Sequence, residues 1–193
     1  MRYQRGPQAA LADVTLALGP GEGLLVTGAA GSGKTSLLRG LLGLAPWRGV
    51  AEVLGLPAGS PEALRRVGYA PERRPFPPGR STLDLVALVA RLRGLPAPPA
   101  AARDAAERAG VAEPARPAAA LDVEEARRAA LACGLAGDPE VLVLDDPWEF
   151  PETTAEIAAA RARGAAVLAA SREPGGLGAL LGRTLRLVGG SPA

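Results

Sequence analysis

Of the 22 lysine and arginine residues in this 193-residue chain, Lys34 alone is lysine, and there is no histidine. Lys34 lies in Gly28-Ala29-Ala30-Gly31-Ser32-Gly33-Lys34-Thr35-Ser36, a complete phosphate-binding loop pattern. The chemistry implied is the binding of a polyphosphate. Glycines let the backbone turn tightly and approach the anion, and N–H groups at a helix N-terminus face it. An ammonium is a compact point charge, whereas a guanidinium is a wide planar fork. Only the ammonium threads back along such a loop to the β- and γ-phosphates, so the spacing predicts a nucleoside triphosphate as ligand. A second concentration of chemistry is the carboxylate pair Asp145-Asp146, which follows Val141-Leu142-Val143-Leu144.

These groups need strands and helices to bring them together. Leu24 to Thr27 reads as a buried strand ahead of the loop, and Leu37, Leu38, Leu41 and Leu42 recur at helical spacing behind it. Val141 to Leu144 reads as a buried parallel strand, and in an open α/β sheet ligands bind beyond the C-terminal strand ends. Asp145 and Asp146 are therefore expected beside the loop. Further strands are expected over Ala12–Leu18, Val50–Leu54, Val67–Ala70, Ala165–Ala170 and Thr184–Val188. Helices are expected after Ser81-Thr82-Leu83-Asp84, a capping box, over Ala100–Ala109, and from the Asp122–Glu125 cap to Gly137. Prolines 71, 75, 77 and 78 mark an irregular connection before the first of these helices.

Composition narrows the classes. Apolar residues make up 48% of the chain, but much of that is alanine and only 3% is aromatic, so leucine and valine must build the core. No uncharged apolar stretch approaches the roughly 18 residues of a membrane span, and no signal-peptide pattern opens the sequence. One cysteine, Cys133, fits a cytoplasmic protein. A net charge of +2, with arginine pairs scattered among few aromatics, argues against a nucleic-acid partner.

The order of these motifs resembles the ATP-binding subunits of ABC transporters over nearly the whole chain. Leu135 to Pro147 (LAGDPEVLVLDDP) is close to that family's approach to its Walker B strand, and Val67 to Glu72 (VGYAPE) resembles the segment leading into its Q-loop. The resemblance implies an α/β fold: a mostly parallel core sheet, an N-terminal antiparallel β subdomain and an inserted helical lobe. It implies one domain over 1–193, with 1–71 and 138–193 as core and β subdomain and 72–137 as lobe. Cofactors implied are ATP and Mg²⁺. Residues 28–36 hold the phosphates, Lys34 foremost, and Tyr3 is placed like the aromatic that stacks on adenine. Thr35, Asp145 and Glu72 meet the metal, Glu72 standing where the family has glutamine. Asp146 stands where the family has the glutamate that orients water. The implied partners are an integral-membrane permease and a homologous ATPase subunit, with the chain peripheral to the membrane on its cytoplasmic side.

Departures from the family pattern are as informative. Leu121-Asp122-Val123-Glu124-Glu125 stands in place of Leu-Ser-Gly-Gly-Gln, the signature that faces the partner subunit's γ-phosphate. Its carboxylates cap and stabilise a helix but repel an anion, by roughly 4 kcal/mol per pair of charges at about 4 Å and an effective dielectric of 20. Asp146 is one methylene shorter than glutamate, and a displacement of about 1 Å can cost on the order of 100-fold in rate. The switch histidine is replaced, with Ser171 in its expected place, and Trp148-Glu149-Phe150-Pro151 replaces the D-loop. ATPase activity follows from the resemblance, and slow hydrolysis from Asp146, Ser171 and the altered signature. Two other readings stay open: a non-catalytic regulatory ATP-binding protein, and a soluble P-loop kinase whose lid arginines are Arg73, Arg74 or Arg80.

Overall fold

The computed structural model describes residues 3–5, 8–72, 76–77 and 79–193. Strands β1 (Tyr3–Arg5) and β2 (Gln8–Leu11) form a separate antiparallel pair. Strand β3 (Gly23–Thr27) leads through the phosphate loop into helix α1 (Lys34–Leu41). A hairpin of β4 (Glu52–Val53) and β5 (Leu56–Pro57) turns at Leu54 and Gly55, both with positive φ, 57° and 73°. Helix α2 (Pro61–Arg66) then enters β6 (Val67–Ala70). Three helices follow: α3 (Thr82–Leu92), α4 (Pro98–Arg108) and, after a 3₁₀ turn at Ala118–Ala120, α5 (Val123–Leu135). The chain closes with β7 (Val141–Asp145), α6 (Pro151–Ala162), β8 (Ala166–Ser171), α7 (Gly175–Leu181), β9 (Thr184–Val188) and β10 (Ser191–Pro192).

The central sheet has the order β10-β9-β3-β8-β7-β6, parallel throughout except for the short edge strand β10. Both faces are covered over the inner strands β3, β7 and β8, which is why these read as near-continuous apolar runs. Leu25, Leu142, Leu144, Val167 and Ala169 pack on one face against Leu131 and Leu135 of α5, Ile157 of α6 and Leu177 and Leu181 of α7. Leu24, Val26, Val143, Leu168 and Ala170 alternate onto the other face, against Leu37, Leu38 and Leu42 at α1. Alanine carries the close packing between α4 and α5, through Ala102, Ala105, Ala130 and Ala132. No helix among the described residues is long and apolar enough to cross a membrane.

The strand expected over Ala12–Leu18 is not formed. Pairing stops at Leu11, Asp13 turns to φ 53°, and the Ala12 N–H donates to the Gly190 carbonyl at 2.8 Å. The alternation of Val14, Leu16 and Leu18 is packing: Val14 is buried and the other two lie against the same core. The strand expected over Val50–Leu54 shrinks to Glu52–Val53 for the same kind of reason, since the positive φ of Leu54 starts the turn. The other expected strands and helices are present within a few residues of their expected bounds.

Candidate functional site

Strand β3 delivers the chain to a loop whose glycines are required by geometry. Gly28 has φ 149°, and a Cβ there would lie 2.6 Å from Ser32 Oγ; Gly33, at φ 102°, is the N-cap of α1. No side chain caps α1, so its first N–H groups lack intrahelical partners and face the loop's concavity. Ser32 is buried, and its hydroxyl has no hydrogen-bond partner among the described residues. Ala29, Ala30 and Gly31 are exposed, while Lys34, Thr35 and Ser36 are half-buried. The Lys34 ammonium donates to the Gly28 carbonyl at 2.6 Å and to the Ala29 carbonyl at 3.0 Å. It thus lies back along the loop. Burial lowers its pKa, Asp146 opposes that, Arg172 adds to it, and Asp145 and Glu72 oppose it more weakly.

Asp145 ends β7 and is buried. Its Oδ1 accepts from the Thr35 hydroxyl at 3.0 Å, and its Oδ2 from the Tyr69 hydroxyl at 3.4 Å. Burial raises the Asp145 pKa, and the Thr35 bond pulls it back; Glu72 and Asp146 add like charge. Tyr69, on β6, is pushed up to about 12, by burial first and by Asp145 next, so it stays a proton donor. Strands β6 and β7 and helix α1 therefore converge on one carboxylate. Sequence reasoning expected Lys34, Thr35, Asp145, Asp146 and Glu72 together; Lys34 and Asp145 each feel the charges of Asp146 and Glu72, and Thr35 bonds Asp145. It passed over Tyr69, whose only signal was its place in the strand that ends at Ala70.

Asp146 leaves the strand at φ 50°, a left-handed conformation that side chains rarely adopt. Two bonds hold it: its N–H donates to the Ala170 carbonyl at 2.8 Å, and its own carbonyl accepts from Arg127 at 2.7 Å. Arg127 also covers Trp148, 4.6 Å from the ring centroid, and Arg128 covers Phe150 at 4.3 Å. The two rings contact each other at 5.4 Å, and Glu149 accepts from the Gly176 N–H at 2.9 Å. The segment after Asp146 is thus fastened to its own chain.

The acidic segment at α5 is a full capping box. Asp122 accepts from the Glu125 N–H and Glu125 from the Asp122 N–H, each at 2.8 Å. Glu125 also pairs with Arg116 at 2.7 Å and Glu124 with Arg128 at 2.9 Å. The expected repulsion by bare carboxylates is therefore weakened by these two arginines. Instead, two of the N–H donors at this helix start, those of Asp122 and Glu125, are already taken by the box.

Two sequence expectations fall elsewhere. Tyr3 lies in β1, but its side chain, like Arg73 and Arg74, is outside the described residues. Among the described residues no group of three His, Cys, Asp or Glu side chains is arranged to hold a metal. The pair of Thr35 hydroxyl and Asp145 carboxylate is the kind of sparse oxygen set that suits an ion such as Mg²⁺, which keeps waters and takes one or two protein groups beside phosphate oxygens. A cavity of about 920 Å³ opens at the opposite end of the strands, between Leu41, Val67, Val141 and Leu168. It contains none of these groups.

Comparison with known proteins agrees with the geometry. The ABC transporter family model matches residues 11–149. A cytochrome c biogenesis ATP-binding export protein from Cupriavidus necator is 38% identical over 149 residues, covering 75% of this chain and 66% of that protein. A zinc import ATP-binding protein from Cereibacter sphaeroides is 36% identical over 165 residues, covering 82% of this chain and 61% of that protein. The matched chain thus spans about two thirds of the length of these curated relatives. Among solved structures, the dimeric structure of a bacterial ABC transporter cassette superposes with a TM-score of 0.85 at 20% identity, covering 99% of this chain and 92% of that one. That likeness carries the fold, including the mostly parallel sheet and the separate antiparallel pair. The phosphate loop joined to its distant carboxylate, and a family match over most of the chain, lead to one conclusion: this chain belongs to the ABC transporter family.

Proposed function

We propose that this chain is the ATP-binding subunit of an ABC-type transporter, peripheral to the membrane on its cytoplasmic side and coupling nucleotide binding to a separate permease. The observation that carries this reading is the 3.0 Å bond from Thr35 to Asp145, across 110 residues of sequence, beside Lys34 lying along its loop. In it, residues 28–36 bind the phosphates of ATP, with Lys34 as the main charged contact. Thr35 and Asp145 hold Mg²⁺, Glu72 reaches it through water, and Tyr3 stacks on adenine. Residues 1–193 form one ATP-binding domain, with 72–137 as its helical lobe. A bound metal would offset phosphate charge; the chain's own part is to hold the polyphosphate and orient the groups around it.

Calorimetric titration with ATP·Mg²⁺ tests the reading. Lys34→Ala is expected to abolish measurable binding, and Lys34→Arg to fail nearly as badly, because the planar guanidinium does not fit where the ammonium lies. Near wild-type affinity in Lys34→Arg would show that the lysine is incidental.

One observation favours a second reading, a regulatory ATP-binding protein of the same descent. Asp146 is held in a left-handed turn by Arg127 and Ala170, and the α5 N-terminus is closed by its own carboxylates. Both features predict slow turnover. Steady-state phosphate release by the isolated chain is expected to stay well below about 1 s⁻¹, the low end of ordinary enzyme turnover. Release at or above that rate would exclude the regulatory reading.

A further inference from the structure

The cavity of about 920 Å³ lies at the end of the sheet away from the phosphate loop. Val67, Val141 and Ala166, the first residues of β6, β7 and β8, line it, whereas Asp145 is the last residue of β7. Folded interiors are close-packed, with few voids larger than a water molecule. A space of this size is that of a small-molecule site, about 300–1,000 Å³. It stays open because what covers it belongs to no part of the central sheet. Strands β4 and β5 pair only with each other, and residues 16–20 form no strand.

Two features of this cover point to a ligand. The first is apolar. Leu54 begins the hairpin turn at φ 57°, a conformation uncommon for leucine. It lines the cavity and is still 39% exposed, and Val50, also in the lining, is 86% exposed. An apolar molecule in the cavity covers both. The second is charge. Asp138, Glu140, Glu52 and Arg163 are the charged residues of a lining that is otherwise mostly aliphatic. Asp138 is paired with Arg163 at 3.0 Å, and Glu140 with Arg66 at 2.5 Å. Glu52 is exposed and makes no ion pair with any described residue. One carboxylate at the cavity is therefore unanswered.

We propose that this cavity is a second ligand site, which takes a small apolar amine with its hydrocarbon against Leu41, Val141 and Leu168 and its ammonium at Glu52. A carboxylate at the same place would face a like charge, and a neutral molecule would leave Glu52 without a partner. The site stands independently of the nucleotide reading, since its lining includes none of residues 28–36, Glu72, Asp145 or Asp146.

The test is an NMR titration of the protein, methyl-labelled at leucine and valine, with octylammonium, octanol and octanoate, which share a chain and differ in the head group. Octylammonium is expected to saturate one site at about 1 mM or tighter, within the ligand efficiency of so small a molecule. Its chain should give intermolecular NOEs to methyl groups of Leu41, Val141 and Leu168. Octanol is expected to bind about 2-fold to 5-fold more weakly, the range for one exposed ion pair, and octanoate more weakly still. Glu52→Gln should bring octylammonium down to the level of octanol and leave octanol within about 2-fold of its wild-type affinity. Failure of octylammonium to saturate by about 10 mM, or NOEs to methyl groups elsewhere, would show that the cavity is not a ligand site. Octanol or octanoate binding as tightly as octylammonium, or octylammonium binding unchanged in Glu52→Gln, would overturn the choice of a cation. Wild-type methyl shifts away from residue 52 check that Glu52→Gln is folded.

Discussion

Asp145 carries one donor on each oxygen, Thr35 on Oδ1 and Tyr69 on Oδ2, and is nevertheless held above its ordinary pKa of 3.8, chiefly by burial. A raised carboxyl pKa means that the folded state binds a proton more readily than the unfolded state. Stability from this group is therefore greatest at low pH and declines as pH rises from the unfolded value through the folded one. At neutral pH the free protein holds a buried carboxylate that makes no ion pair with a described cation, although Arg39 bears on it from a distance. Asp145→Asn is accordingly expected to melt at a higher temperature than wild type at neutral pH, with the gain vanishing as pH falls below about 3.8. The same variant should lose the Mg²⁺ dependence of ATP affinity. Thermal melts across pH check the first part, and titrations with and without Mg²⁺ the second; a neutral-pH melt below wild type would contradict it. At this scale the sequence was informative where residue type and spacing coincide, as in residues 28–36. It was silent where one partner lies far along the chain and is chemically ordinary. Tyr69 meets Asp145 across 76 residues, and Arg127 meets the Asp146 carbonyl across 19.

Between elements, the closest packing near the site is that of β6 on α5. A Cβ on Gly68 would run into the Gly134 carbonyl oxygen and lie 2.8 Å from Pro139 Cγ and 2.9 Å from the Gly134 carbonyl carbon. These atoms are backbone or ring and cannot rotate away. Gly68→Ala is expected to destabilise the protein by about 1–3 kcal/mol, as overpacking does, and to displace Tyr69 from Asp145. Urea denaturation checks the stability, and a midpoint equal to wild type would show that β6 can shift without cost. Strands β3, β7 and β8 were legible because burial on both faces leaves unbroken apolar runs. Helix α3 was legible from its capping box at Ser81 and Asp84. Helices α2, α6 and α7 were not anticipated. Ser60 caps α2 ahead of Pro61, and Pro151 opens α6, which are ordinary start signals, but the helices behind them are short or alanine-rich with weak periodicity. Helix α7 starts with Gly175-Gly176, a poor helix opening, because Glu149 sits where any side chain would be. The false strand at Ala12–Leu18 shows the converse: alternation records burial, and Asp13 at φ 53° decided the backbone.

Across the molecule, the surfaces flanking the phosphate loop are turned inward. Arg127 and Arg128 lie over Trp148 and Phe150, Glu149 caps α7, and Asp122 and Glu125 cap α5. An ATP-driven dimer of this family's kind needs the α5 N-terminus to receive phosphate from a second chain. Here the Asp122 and Glu125 N–H groups are used in cis and the carboxylates remain. In a homodimer each composite site would carry the altered signature and Asp146 together. With a fully equipped partner, the partner's nucleotide would still face Asp122, Glu124 and Glu125. The central claim is therefore that this chain binds ATP on its own loop but does not close into a sandwich around it. Light scattering with ATP·Mg²⁺ tests that claim most directly, on wild type and on a variant carrying Asp122→Ser, Val123→Gly, Glu124→Gly and Glu125→Gln. The variant gives up its capping box and two glycines' worth of helix propensity, about 1 kcal/mol each, so circular dichroism should first show that it is folded. The account predicts a monomer for wild type with or without nucleotide, and an ATP-dependent dimer only for the variant. A tight ATP-dependent dimer of wild type would contradict it.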